Sequence, residues 1–238
     1  MEKNLPEQEI QKNHHCDIGL HVICGYNRPL PIIIQRNPLQ KILFTVLVLL
    51  ASASVVAGGD YKAGKIKAYT CSGCHGIVNY NNAYPTYRVP RVGGQNKEYM
   101  VSALQAFKTG ERTHKNMNLQ AEALSDQDIE DISVYLAAQT NTAGAESVFS
   151  ADDAAAGQSK TASCQACHGV TGISSQPIYP NLAGQHQNYL SKTLHDFRDG
   201  SRPSAIMSGF AASLSDADIE AIAAWYAGQE GLTEIQDK

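Results

Sequence analysis

The sequence predicts an all-α protein in which one helical domain occurs twice in tandem. Three observations lead there. A set of residues recurs at a nearly constant offset, helical starts and stops recur with it, and no run of alternating apolar and polar residues suggests a strand. The repeat is anchored by Cys71-Ser72-Gly73-Cys74-His75 and Cys164-Gln165-Ala166-Cys167-His168, offset by 164 − 71 = 93 residues. Pro90, Gly94-Gln95, Tyr99, Leu104, Phe107, Gly110, Arg112 and Met117 then recur as Pro180, Gly184-Gln185, Tyr189, Leu194, Phe197, Gly200, Arg202 and Met207. There the offset is 180 − 90 = 90, so the first copy carries three extra residues after His75. Gly64 and Gly157 each stand seven residues before the first motif cysteine.

Each copy is expected to hold three helices. The first runs into the Cys motif, around 61–69 and 153–162. The second, near 97–109 and 188–199, places Met100, Leu104 and Phe107, or Leu190, Leu194 and Phe197, on one face, and Gly110 or Gly200 stops it. The third starts where Ser125 with Asp128, and Ser215 with Asp218, form capping boxes. Leu124–Ile129 and Leu214–Ile219 supply the accompanying staples. The Ala-, Gly-, Ser- and Thr-rich stretch 139–151 reads as a linker, with domains at 58–140 and 152–238 joined by 141–151.

Before the repeat lies Lys41 and an apolar run from Ile42 to Ala57, with Val55-Val56-Ala57 offering small residues at a cleavage site. This reads as a secretory signal peptide cleaved after Ala57, and a retained anchor is the competing reading. Residues 1–38, with four prolines and no helical period, fit poorly before it. A start assigned too early, with initiation at Leu39, would explain them. His14, His15 and His21 beside Cys16 are too irregularly spaced for a metal cluster. Of six cysteines only Cys16 and Cys24 lie outside the two motifs, and a net charge of −4 gives no sign of nucleic-acid binding.

Cys-x-x-Cys-His reads as covalent attachment of c-type haem. Two thiols one helical turn apart reach the two vinyl groups of a porphyrin, and the adjacent imidazole ligates iron. A thioredoxin-like dithiol or half a zinc site could explain one such motif, but not two at matched places of a repeat. Two haem c groups are therefore expected, on Cys71 and Cys74 and on Cys164 and Cys167, with His75 and His168 as proximal ligands. Export agrees with this, because bacterial haem maturation machinery acts in the periplasm.

The sixth ligand separates catalysis from electron transfer. Met117 and Met207 stand at matched places in segments read as irregular and polar, poor for core packing and suited to axial ligation. Met100 matches Leu190 on an apolar helix face and reads as core. His114, three residues before Met117, competes as a ligand, but its counterpart is Ser204. His186 and His195 also lack histidine counterparts and read as exposed helix residues. The Pro90 and Pro180 carbonyls could accept the proximal imidazole N–H, or the prolines could be ordinary turn residues.

The order Gly, Cys-x-x-Cys-His, Pro-x-x-x-Gly-Gln, Tyr, Phe, Gly, Arg, Met, Leu-Ser-Asp-x-Asp-Ile and an aromatic resembles the dihaem cytochrome c4 family over 58–229. The resemblance implies two tandem class I cytochrome c-like domains, each wrapped around one haem. It also implies His/Met ligation at both irons, haem edges facing across a pseudo-twofold interface, and electron delivery to a terminal oxidase. It departs in the first copy's loop, Asn79 to Tyr84. Redox-partner proteins are the expected partners, a quinol- or substrate-oxidising donor and an oxidase as acceptor, and peripheral membrane association is a further possibility. A subunit of a flavocytochrome or dehydrogenase complex, its catalytic centre on a partner, is the competing reading. Residues 58–147 carry nine Lys/Arg and nine Asp/Glu, whereas 148–238 carry five against ten (5 − 10 = −5), so the second copy is the acidic one.

Overall fold

The structure, a computed structural model, describes residues 58–139 and 151–236, with Asn37 isolated before them. The first copy comprises α1 (Tyr61–Lys67), α2 (Tyr69–His75), α3 (Lys97–Thr109), α4 (Lys115–Glu122) and α5 (Asp126–Ala137). The second comprises α6 (Ala151–Lys160), α7 (Gln165–His168), α8 (Gln187–Asp199), α9 (Met207–Ala211) and α10 (Asp216–Ala227). Among the described residues there is no strand, only the isolated bridges Asn81–Arg88 and Gly93–Thr233. No described helix is long and apolar enough to cross a membrane. The expected signal segment and residues 140–150 of the expected linker lie outside the described residues. Ala151, assigned to the linker from sequence, instead opens α6.

In each copy the last helix is the hub. It packs on the first helix (α1 on α5, α6 on α10) and on the long second helix (α3 on α5, α8 on α10). The recurring glycines explain the first crossing. A Cβ on Gly64 would lie 2.0 Å from the Asp131 carbonyl oxygen, and one on Gly157 2.2 Å from that of Ala221, so only glycine lets these helices meet so closely. Both hubs start as expected. The Ser125 and Ser215 side chains accept from the N–H of Asp128 and Asp218, and those carboxylates accept from the serine N–H groups in return. Gly110 and Gly200, at φ 81° and 82°, end the long helices in the left-handed conformation that favours glycine.

Two apolar cores result. Ala68, Met100, Leu104, Ile129, Ile132, Tyr135 and Leu136 form the first, with Leu190, Ile222, Ala223, Tyr226 and Ala227 in the second. The first core has one further member from a distant part of the chain, Ile235. After α10 the tail leaves its own copy and runs across the other. Leu232 N–H donates to the Ala183 carbonyl (2.7 Å), and Thr233 exchanges both backbone bonds with Gly93 (2.9 and 3.0 Å). Ile235 N–H donates to the carbonyl of His75 (2.9 Å). Ala183 and Gly93 are equivalent positions, so the tail stitches the same loop of both copies.

Candidate haem sites

His75 closes α2 and His168 closes α7, each directly after its motif cysteine. All four motif thiols are free of disulfides. Burial pushes the Cys71 and Cys164 thiols up, keeping them neutral. The proline carbonyls do accept from the imidazoles: His75 Nδ1 lies 2.7 Å from the Pro90 oxygen, and His168 Nδ1 2.9 Å from that of Pro180. A carbonyl can only accept, so Nδ1 carries the proton and Nε2 is left for a metal. Burial lowers both imidazole pKa values, and the carbonyl bonds partly oppose it. The neutral form that ligates is therefore the stable one.

Met117 and Met207 are not in irregular segments. Met117 lies in the first turn of α4, packed against the first core, and Met207 opens α9. The polar residue three before each methionine meets the start of its helix. Met117 N–H donates to His114 Nδ1 (3.3 Å) and Met207 N–H to Ser204 Oγ (3.1 Å). His114 therefore does what Ser204 does: each satisfies a helix-start N–H. The two segments 111–120 and 201–210 also match position for position in burial.

His186 also differs from the expectation. It is buried, not exposed, because it caps α8 under the returning tail, with Nε2 3.7 Å from Glu234. Burial, first of all, and the nearby Arg91 lower its pKa to about 4. His195 is half-buried, its Nδ1 accepting from Arg198 (2.9 Å).

Arg112, Arg202, Tyr99 and Tyr189 recur in the sequence with no signal of what they bind. They cross between the copies: Arg112 donates to Tyr189 OH (2.8 Å) and Arg202 to Tyr99 OH (3.4 Å). Each guanidinium also stacks on the Phe of its own copy, Phe107 or Phe197, at 4.4 and 4.6 Å. Burial would raise the Tyr99 pKa, but the two guanidiniums outweigh it and bring it below the ordinary phenol value.

The residues fit a haem at both places. Apolar side chains stand exposed beside each motif and each methionine: Ile77 and Val78 after His75, Val170 and Ile173 after His168, Leu119 near Met117, Phe210 near Met207. A porphyrin face would bury such a rim, which small cores cannot cover by themselves. With thiol pairs, a tethered neutral imidazole and a capped thioether in each half, this is a c-type cytochrome built twice. The family described as Cytochrome c matches residues 154–227.

The chain belongs to the cytochrome c4 family. It is 41% identical over 214 residues to cytochrome c4 of Azotobacter vinelandii, covering 80% of this chain and 99% of that one. The crystal structure of reduced recombinant cytochrome c4 from Pseudomonas stutzeri superposes with a TM-score of 0.63 at 32% identity, over 72% of this chain and 99% of the other. A "thiosulfate dehydrogenase electron acceptor" of Stutzerimonas stutzeri (strain A1501) is 29% identical, over 67% of this chain and 79% of its own length. The protein is an electron-transfer cytochrome with two covalently attached haem c groups.

Proposed function

We propose that the chain is a periplasmic carrier passing electrons from a quinol- or substrate-oxidising donor to a terminal oxidase. Cys71 and Cys74 would hold one haem, with His75 and Met117 as the ligands to its iron. Cys164 and Cys167 would hold the other, with His168 and Met207. The domains are 58–140 and 151–238, joined by 141–150, with Ala151 counted in α6. When bound, each haem supplies a one-electron iron couple. The protein's part is to tether the proximal imidazole, present the thioether and keep water from the iron.

The observation that carries this reading is the sameness of the two sites. Both imidazoles give Nδ1–H to a proline carbonyl, and both methionines sit in capped helical turns of matched burial. With a histidine and a methionine both on each iron, neither would keep a position for a substrate, which favours transfer over catalysis. Export is supported by the apolar run from Ile42 to Ala57 and by the covalent haem itself. A second reading, an acceptor bound to a dehydrogenase, is favoured by the relative that bears that name.

An optical redox titration of the purified protein tests the ligation. Two thioether-to-ferric-iron bands' worth of intensity and no carbon monoxide binding are expected. A high-spin component would overturn it. Turnover with membranes containing oxidase, against turnover with a sulfur-compound dehydrogenase, separates the two readings.

A further inference from the structure

The Gly-Gln pair of each copy is not required by the haem motif, yet it recurs. Gln95 and Gln185 are 5% and 4% exposed, so their carboxamides need partners inside the protein. Each finds both a donor and an acceptor in the opposite copy. Gln95 Oε1 accepts the N–H of Asn181 (2.8 Å), and its Nε2 donates to the carbonyl of the same residue (3.0 Å). Gln185 does the same to Arg91, accepting its N–H and donating to its carbonyl, both at 2.9 Å. The acceptor oxygens also take the next residue's N–H, Asn96 at 2.8 Å and His186 at 3.1 Å, which holds each carboxamide in place.

The clamped residues are the important ones. Arg91 follows Pro90 and Asn181 follows Pro180, and those two proline carbonyls accept the Nδ1–H of His75 and His168. Each carboxamide therefore grips the peptide next to the proximal acceptor of the other copy. The crossing is exact under the repeat, since 91 + 90 = 181 and 95 + 90 = 185. The tail reinforces one side, with Glu234 taking Arg91 Nε at 2.9 Å. A carbonyl's placement sets how strongly it draws on the imidazole proton, and through that the basicity of the ligand and the electronics of the iron.

We propose that Gln185 is a positioning residue for the proximal ligand of the first haem, and Gln95 for that of the second, so that each haem's potential depends on a residue of the opposite copy. This rests on ligation by His75 and His168 as described under Proposed function.

The test uses the full haem-loaded protein with Gln185→Leu, Gln95→Leu, Gln185→Glu and Gln95→Glu. A pyridine haemochrome assay verifies two haems per chain. In the reduced, diamagnetic protein each Nδ1–H is followed by NMR, assigned to its own haem through NOEs, and a redox titration follows both potentials. Gln185→Leu is expected to speed exchange of the His75 Nδ1–H roughly tenfold and shift the first haem's potential while leaving the second unmoved. Gln95→Leu should do the reverse. The glutamates keep the acceptor and lose the donor, so each should give a smaller shift at the same haem. Where a leucine variant fails to load, the glutamate variant carries the same crossed readout. Shifts that are uncrossed, equal at both haems or absent, in protein with both haems ligated, overturn the proposal. Absence of haem-shifted His75 and His168 signals from the unmutated protein would instead overturn the ligand assignment.

Discussion

Replacing His114 separates capping from ligation, because the second copy already shows what the position needs. In the structure His114 offers Nδ1 to Met117 N–H at 3.3 Å, and Ser204 offers Oγ to Met207 N–H at 3.1 Å. Removing a cap costs about 0.5–2 kcal/mol. The long distance and the half-exposed position put His114→Ala near the lower end, about 0.5–1 kcal/mol. His114→Ser restores the arrangement of the second copy and should cost almost nothing. Denaturant unfolding of the reduced protein, monitored by circular dichroism, measures both. The optical spectrum read alongside should keep its full thioether band in both variants. If the serine variant loses as much stability as the alanine one, capping is not the role of His114. If either variant turns the first haem high-spin, His114 and not Met117 is the sixth ligand.

Other outcomes follow from the same geometry. Asp128 and Asp218 are each lowered from 3.8 to about 2, the first by hydrogen bonds from Lys67 and then Ser125, the second by Lys160 and then Ser215. Their folded pKa values are depressed, so their contribution is present above about 3.8 and lost as pH falls towards about 2. Thermal unfolding between pH 2 and 6 should show that loss, and the double variant Asp128→Asn with Asp218→Asn should flatten it. Gly64→Ala or Gly157→Ala forces apart a helix crossing with no room for a methyl group, at a cost of about 1–3 kcal/mol or more. A melting temperature within a degree of the parent would contradict that packing. Met207→Ala should open one iron of two, so that carbon monoxide titrates half the haem, with the potential of that half lowered. Titration of none, or of all, would refute the assignment.

What could be read in advance was what local chemistry dictates. A capping box needs only residues three apart, and both formed where Ser125 and Ser215 predicted them. The long helices ended at Gly110 and Gly200 for an equally local reason. The proline carbonyls were candidates because they recur after the haem motif, and they do hold the imidazoles. The methionine segments read as irregular because they lack an apolar period, yet in the structure they begin helices. His186 misled because its burial comes from Glu234 and the tail, 48 residues downstream (234 − 186 = 48).

Two Cys-x-x-Cys-His motifs, with the helix starts and stops that recur around them, were therefore enough to predict a dihaem, all-helical chain. Attachment chemistry and helix signals act over one or two turns, within reach of inspection. Only the tertiary structure decided how the copies depend on each other: Gln95 and Gln185 exchanged between proximal loops, Arg112 and Arg202 exchanged between tyrosines, Ile235 lent to the first core. A buried carboxamide or guanidinium must find partners, but sequence does not say whether they lie in its own copy or the other. When both copies offer the same loop, only the packing of one against the other makes the choice.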